Sequence, residues 1–277
     1  MRDGLFICDA QVHSPHVDEP AGHVNGIDAK ALVAEMEAAG VDQAVIVPLA
    51  TKQIEANNDP SLEVVRGYPG RFCVMGLVDV GDQPATSERL SEWRENPDVL
   101  GVRVSCVREP FRSMLVNEEL DWLWQAACNN EIPVMLYAPD LPAEVERTAA
   151  AFPSMRIVVD HLGLRPRHVF DDIAETVSQL TPLGRYPNVA VKATSLPTSV
   201  PGPYPFRGAH EGLRMAVDAF GPERVFWGSD LTRLPCTYAE SVTMFTEELP
   251  FLTRSDLDLI MGKALCAWLG FPVETRA

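Results

Sequence analysis

Eight short apolar runs, each followed by a stretch of helical periodicity, constrain this chain more than any other feature. The runs occupy 5–10, 41–49, 71–78, 100–104, 132–137, 156–161, 188–193 and 225–228. They are rich in β-branched and apolar residues and too short for helices, which reads as buried strand. Between the first two lies 28–40, where Asp28 caps, Ala31, Leu32, Val33, Met36 and Ala39 recur at helical spacing, and Gly40 closes. Further helices are predicted over 61–68, 87–96, 118–130, 144–152, 170–180, 212–220, 238–247 and 255–269. Near-continuous apolar strands need cover on both faces, so they predict a parallel sheet wrapped by helices. Eight such units in 277 residues predict an α/β fold, a (β/α)8 TIM barrel, as a single domain over 1–277.

Composition narrows the partners. A net charge of −16 argues against nucleic acid and anionic membrane. It leaves room for an anionic small molecule, because local cations can reverse the field inside a pocket. No run approaches the roughly 18 apolar residues of a membrane span. The first residues enter a strand with no secretory pattern, so a cytoplasmic location is expected. The six cysteines are scattered without a CxxC pair, which predicts neither a disulfide framework nor structural zinc. Homo-oligomerisation is left open.

The C-terminal tips of parallel strands are where such barrels gather polar groups. Trp227-Gly228-Ser229-Asp230 is the clearest tip, an apolar run that ends in a carboxylate. The other tips carry Gln11 and His13, Arg103, Tyr137, His161 and Lys192. Each has a plain structural alternative. A histidine after a strand can be a satisfied structural residue, and Lys192 can snorkel from the wall. Arg103 can anchor a neighbouring carboxylate, and Asp230 can cap the next turn. Six tips with polar groups together favour a site, since a barrel interior otherwise takes branched aliphatics. The proline-rich stretch 197–210, with Arg207 and His210, is expected to form a lid or wall. Lys52, Arg108, Arg112, Arg165, Arg167, Arg207 and Arg233 are either a basic rim or ordinary surface charge.

These motifs, in order, resemble the amidohydrolase superfamily. Asp9-Ala10-Gln11-Val12-His13 is similar to its D-x-H-x-H opening. Gly101-Val102-Arg103, Asp160-His161-Leu162-Gly163, Val191-Lys192-Ala193-Thr194 and Gly228-Ser229-Asp230 resemble motifs of its amidohydrolase-related branch. That branch holds 2-pyrone-4,6-dicarboxylate hydrolase and sugar-lactonase relatives, and aromatic-acid decarboxylases. The resemblance implies a hydrolase of a small, carboxylated lactone, with Asp230 as general base and His13 and His161 polarising the carbonyl. Gln11, Arg103, Tyr137, Lys192, Arg207 and His210 are then substrate-binding candidates. Two departures matter. Gln11 stands where metal-binding members place a histidine, and Tyr137 where a further ligand is usual. The expectation is therefore a site with no cofactor. The alternative is one zinc or manganese ion on His13, His161 and Asp230. Two rival functions remain, a metal-dependent decarboxylase of an aromatic acid and a non-catalytic ligand-binding barrel.

Overall fold

A computed structural model describes residues 4–13, 27–50 and 53–274. The predicted loop 14–27 with His16 and His23 falls outside them, apart from Ile27, as does Lys52. The strands are β1 (Cys8–Val12), β2 (Gln43–Ile46), β3 (Phe72–Leu77), β4 (Val99–Ser105), β5 (Val134–Tyr137), β6 (Ile157–Val159), β7 (Val189–Thr194) and β8 (Val225–Gly228). Each pairs in parallel with the next, in sequence order. The result is a single-domain (β/α)8 barrel.

Two apolar clusters hold it together. The outer one packs the strands' outward residues against the helices; Trp124, Leu32, Met36 and Trp227 belong to it. The inner one fills the barrel with Phe6, Cys8, Ala10, Val45, Val47, Cys73, Met75, Met135, Val158, Ala190 and Phe226. Leu265, Cys266 and Leu269 from the last helix plug the bottom. Above this apolar plug the inward positions turn polar, and the site begins there.

Two irregularities shape its rim. On β1 the register with β2 runs Asp9↔Ala44 and then Val12↔Ile46, so β1 holds one extra residue. Such a bulge shifts the alternation of faces. Cys8 and Ala10 point inward below it, Val12 joins the outer cluster, and Gln11 and His13 face the centre. The β1–β8 seam is bridged by a side chain. Asp9 accepts from the Ser229 backbone N–H at 2.8 Å, the Ser229 hydroxyl, the Tyr238 hydroxyl at 2.6 Å and its own strand's Gln11 N–H at 2.9 Å. The Asp230 N–H donates to the Gln11 carbonyl at 2.9 Å. Gly228 is required at this seam, because a Cβ there would lie 2.5 Å from Thr194 Cγ2 and 2.9 Å from Asp9 Oδ1.

The helix 28–40 forms as its sequence predicts. Asp28 accepts from the N–H groups of Lys30 and Ala31, and Gly40 adopts a left-handed cap. Elsewhere the expectations need correction. The predicted helix 255–269 is interrupted by a wider turn over Leu259–Lys263. Gly262 passes so close to β1 that a Cβ would sit 2.6 Å from the Cys8 nitrogen. A short helix, Phe111–Val116, was not foreseen. The stretch 197–210 carries regular structure in a short helix at Leu196–Ser199 and a tight turn at Arg207–Ala209. His161 lies beyond β6, in a left-handed turn, rather than on the strand.

Candidate active site

The polar layer above the apolar plug is one connected network. Lys192, inward on β7, has no exposed surface. Its ammonium lies 2.8 Å from Asp160 Oδ1, 2.6 Å from Gln11 Oε1 and 3.4 Å from Met135 Sδ. Arg103 Nε meets the other Asp160 oxygen at 3.1 Å, and its guanidinium lies 5.5 Å from the centre of the Tyr137 ring. Gln11 Nε2 donates to Asp230 Oδ1 at 3.1 Å. His13 Nε2 lies 2.7 Å from the same oxygen, and its Nδ1 donates to the Val47 carbonyl at 2.7 Å. The Ser195 hydroxyl donates to Asp230 Oδ2, and Arg233 Nε stands 3.7 Å from that oxygen.

Local backbone form places these groups. His161, Ser195 and Asp230, which follow β6, β7 and β8, have φ values of 54°, 60° and 57°. Non-glycine residues adopt this left-handed form at a cost of order 1–3 kcal/mol, so the surrounding structure must hold them there. In each case the turn folds the side chain back over the barrel mouth instead of continuing the strand.

The electrostatics follow from burial and charge pairing. Burial alone would raise the Asp160 carboxyl, but Lys192 and Arg103 outweigh it and hold it at about 2. Burial acts on Asp230 in the same way; the hydrogen bond and charge of His13, with the Ser195 hydroxyl, reverse it and keep Asp230 well below the usual carboxylate range. Burial lowers His161 to about 4, so its ring is neutral at pH 7. Its Nδ1 faces the Thr194 hydroxyl at 2.7 Å. At the seam, burial raises Asp9 to about 6 despite its four donors.

The structure brings Gln11, His13, Arg103, Lys192 and Asp230 into one network and sets His161 beside it. Tyr137 stands against His161 edge-on, with ring centres 4.8 Å apart. Its hydroxyl donates to the Leu164 carbonyl at 2.9 Å, so the phenol braces the His161 turn. Arg207 is exposed, and His210 Nε2 bonds the Pro205 carbonyl at 2.8 Å. Neither is paired with the central network among the described residues. Of the basic rim, Arg165 pairs with Asp140 and Arg112 binds the Pro139 carbonyl. Asp160, Thr194 and Ser195 escaped sequence reading as site residues. Asp160 and Thr194 lie within recognised motifs, but Ser195 lies just past one and carried no signal of its own.

Fold and network together are those of a (β/α)8 enzyme with its polar groups at the strand ends. The chain belongs to the amidohydrolase family, whose model matches residues 8–265. An L-fucono-1,5-lactonase of Burkholderia ambifaria is 30% identical over 168 residues, covering 57% of this chain and 54% of the relative. The match therefore spans about half the length of that curated relative. Among solved structures, a zinc-bound amidohydrolase from Burkholderia multivorans superposes with a TM-score of 0.80 at 20% identity, over 96% of this chain and 100% of its own. A protein assigned as a 2-pyrone-4,6-dicarboxylic acid hydrolase from Pseudomonas putida gives 0.73 at 18%, over 98% and 99%. A 5-carboxyvanillate decarboxylase from Novosphingobium aromaticivorans, complexed with manganese and 4-hydroxy-3-methoxy-5-nitrobenzoic acid, gives 0.69 at 13%, over 97% of each chain. At these identities the structures establish the shared fold.

They also correct the expectation of a site without a cofactor. Two of the three carry a divalent ion, zinc in one and manganese in the other. Among the described residues, one pair, His13 and Asp230, offers donors to such an ion, short of the three protein ligands usual in a catalytic zinc site. His13 spends its Nδ1 proton on the Val47 carbonyl, which leaves a lone pair on Nε2 when the ring is neutral. That lone pair faces Asp230 Oδ1 at 2.7 Å. Two acceptors so close require a proton or a metal cation between them. His13 and Asp230 are thus the residues that would hold the ion. The three-residue set with His161 is not assembled: among the described residues, no group of three His, Cys, Asp or Glu side chains is placed to hold one.

Proposed function

We propose that this enzyme opens a small, carboxylate-bearing lactone by hydrolysis, with Asp230 as the general base. The observation that carries this reading is the surroundings of Asp230. It is a buried, ionised carboxylate fixed by Gln11, His13 and Ser195, with neutral His161 beside it and two arginines flanking the mouth.

The chain's own groups divide the work. Asp230 orients a water and takes its proton as the oxygen attacks the ester carbon. The donors on Asp230 fix its direction but weaken its basicity, which suits an activated cyclic ester better than an amide. With the Thr194 hydroxyl donating to Nδ1, neutral His161 carries its proton on Nε2 and can donate to the developing oxyanion. Arg103, whose Nε is held by Asp160, presents its fork to a substrate carboxylate. Arg233 adds a second positive charge at the same rim. His13 and Asp230 are the residues that would hold a divalent ion, which when bound would supply Lewis-acid polarisation of the carbonyl or of water.

The lactonase relative supports the substrate class, and the two arginines support a substrate carboxylate. The manganese-bound decarboxylase motivates a second reading, loss of carbon dioxide from an aromatic acid. The test is acid release from a panel of neutral and carboxylated lactones, by the zinc- or manganese-loaded protein and its Asp230→Asn variant. The expected result is turnover of a carboxylated lactone that falls about 10²–10⁴-fold in the variant while ligand affinity stays within a few-fold. Carbon dioxide release from aromatic acids with no lactone opened would move the assignment to the decarboxylase. Binding without any turnover would leave a ligand-binding barrel.

A further inference from the structure

Lys192 and Gln11 are 181 positions apart, and their contact decides what position 11 can do. An ammonium only donates, so the Gln11 atom 2.6 Å from Nζ is the carbonyl oxygen. The other end of the amide is then the NH2 group, 3.1 Å from Asp230 Oδ1, which accepts from it. The two contacts agree: a flipped amide would set two donors together at Lys192 and two acceptors together at Asp230. Lys192 cannot readily let go, because Asp160 anchors it at 2.8 Å and neither side chain has any exposed surface.

We propose that Lys192 is a positioning residue that holds Gln11 as a hydrogen-bond donor to Asp230 and thereby closes position 11 to a metal ion. An NH2 group has no lone pair to give. The residues that would hold an ion, its seat, are then His13 and Asp230 alone, two protein ligands. Gln11 instead aligns the Asp230 carboxylate. This inference concerns the seat alone and stands independently of the hydrolytic reading.

The test is calorimetric titration of the chelator-stripped full chain with zinc chloride, without substrate. The wild-type protein is expected to bind no more than one equivalent. Gln11→Met removes the amide and should leave the affinity within threefold or tighten it. Gln11→His supplies an imidazole and should tighten binding at least tenfold. Lys192→Met frees the Gln11 oxygen to turn toward the seat and should tighten binding at least threefold. Should K192M lose the wild-type circular dichroism spectrum, Gln11→Glu replaces it. With one oxygen held by Lys192, its other oxygen offers the seat a lone pair, and binding should tighten at least tenfold. A tenfold loss in Q11M would show that Gln11 is itself a ligand and overturn the proposal. Two equivalents bound by the wild type, or unchanged affinity in both Q11H and K192M (or Q11E in its place), would overturn it as well. Because no turnover is read, failure of lactone hydrolysis and failure of this inference are separate results.

Discussion

Lys192 on β7 and Asp160, in the turn just after β6, face each other at 2.8 Å, and neither side chain has any surface open to solvent. The pair is the anchor of the polar layer, since Arg103 and Gln11 are both held through it. Breaking a buried pair by removing one charge leaves the other uncompensated, typically at about 3–5 kcal/mol. Asp160→Asn should lower unfolding free energy in urea by about that amount. A loss under about 1 kcal/mol would mean that water reaches Lys192.

Between pH 7 and about 4, above the range where Asp160 and Asp230 take up protons, acid should act on this protein through two opposed groups. His161 sits at about 4 when folded, against about 6.5 unfolded. The native state therefore rejects a proton that the unfolded chain accepts, and stability is lost as pH falls from 6.5 to 4. The size is on the order of 3 kcal/mol. Asp9, raised to about 6 against an ordinary carboxylate near 3.8, works the other way. It binds a proton when folded before it would when unfolded, which adds stability as pH falls from 6 toward 3.8. The two nearly cancel. His161→Gln removes the first and should unmask the second, so that the metal-free variant melts higher at pH 4.5 than at pH 7 relative to wild type. Parallel melting curves for the two proteins would contradict the His161 assignment.

Arg103 should read the substrate's charge. Arg103→Lys keeps a cation near Asp160 but loses the planar fork that grips a carboxylate. A charge-assisted hydrogen bond is worth about 1.5–3 kcal/mol, so KM for a carboxylated lactone should rise about 10–100-fold. KM for the corresponding neutral ester should change little. Equal effects on both substrates would place the substrate carboxylate elsewhere.

Much of the barrel was legible in the sequence, and the reason is local. Eight apolar runs of strand length, helices closed by residues such as Asp28 and Gly40, and a carboxylate after 225–228 are all short-range patterns. Pleating and helical periodicity express them directly. The interruption of the last helix was not legible, because it depends on Gly262 lying against the Cys8 nitrogen, a contact between the two ends of the chain.

The site divides in the same way. Sequence determined which residue types stand at the strand tips, and so the candidates Gln11, His13, Arg103, His161, Lys192 and Asp230. Only the tertiary structure decided what each one does there. The extra residue in β1 turns Gln11 and His13 inward together, and the left-handed turns at His161, Ser195 and Asp230 fold those side chains over the mouth. Lys192 fixes which end of the Gln11 amide meets Asp230, and the Leu164 carbonyl draws off the Tyr137 hydroxyl. A sequence specifies donors and acceptors along a line. Which of them face each other in a space without water depends on strands that lie far apart in the chain and are joined only when the barrel forms.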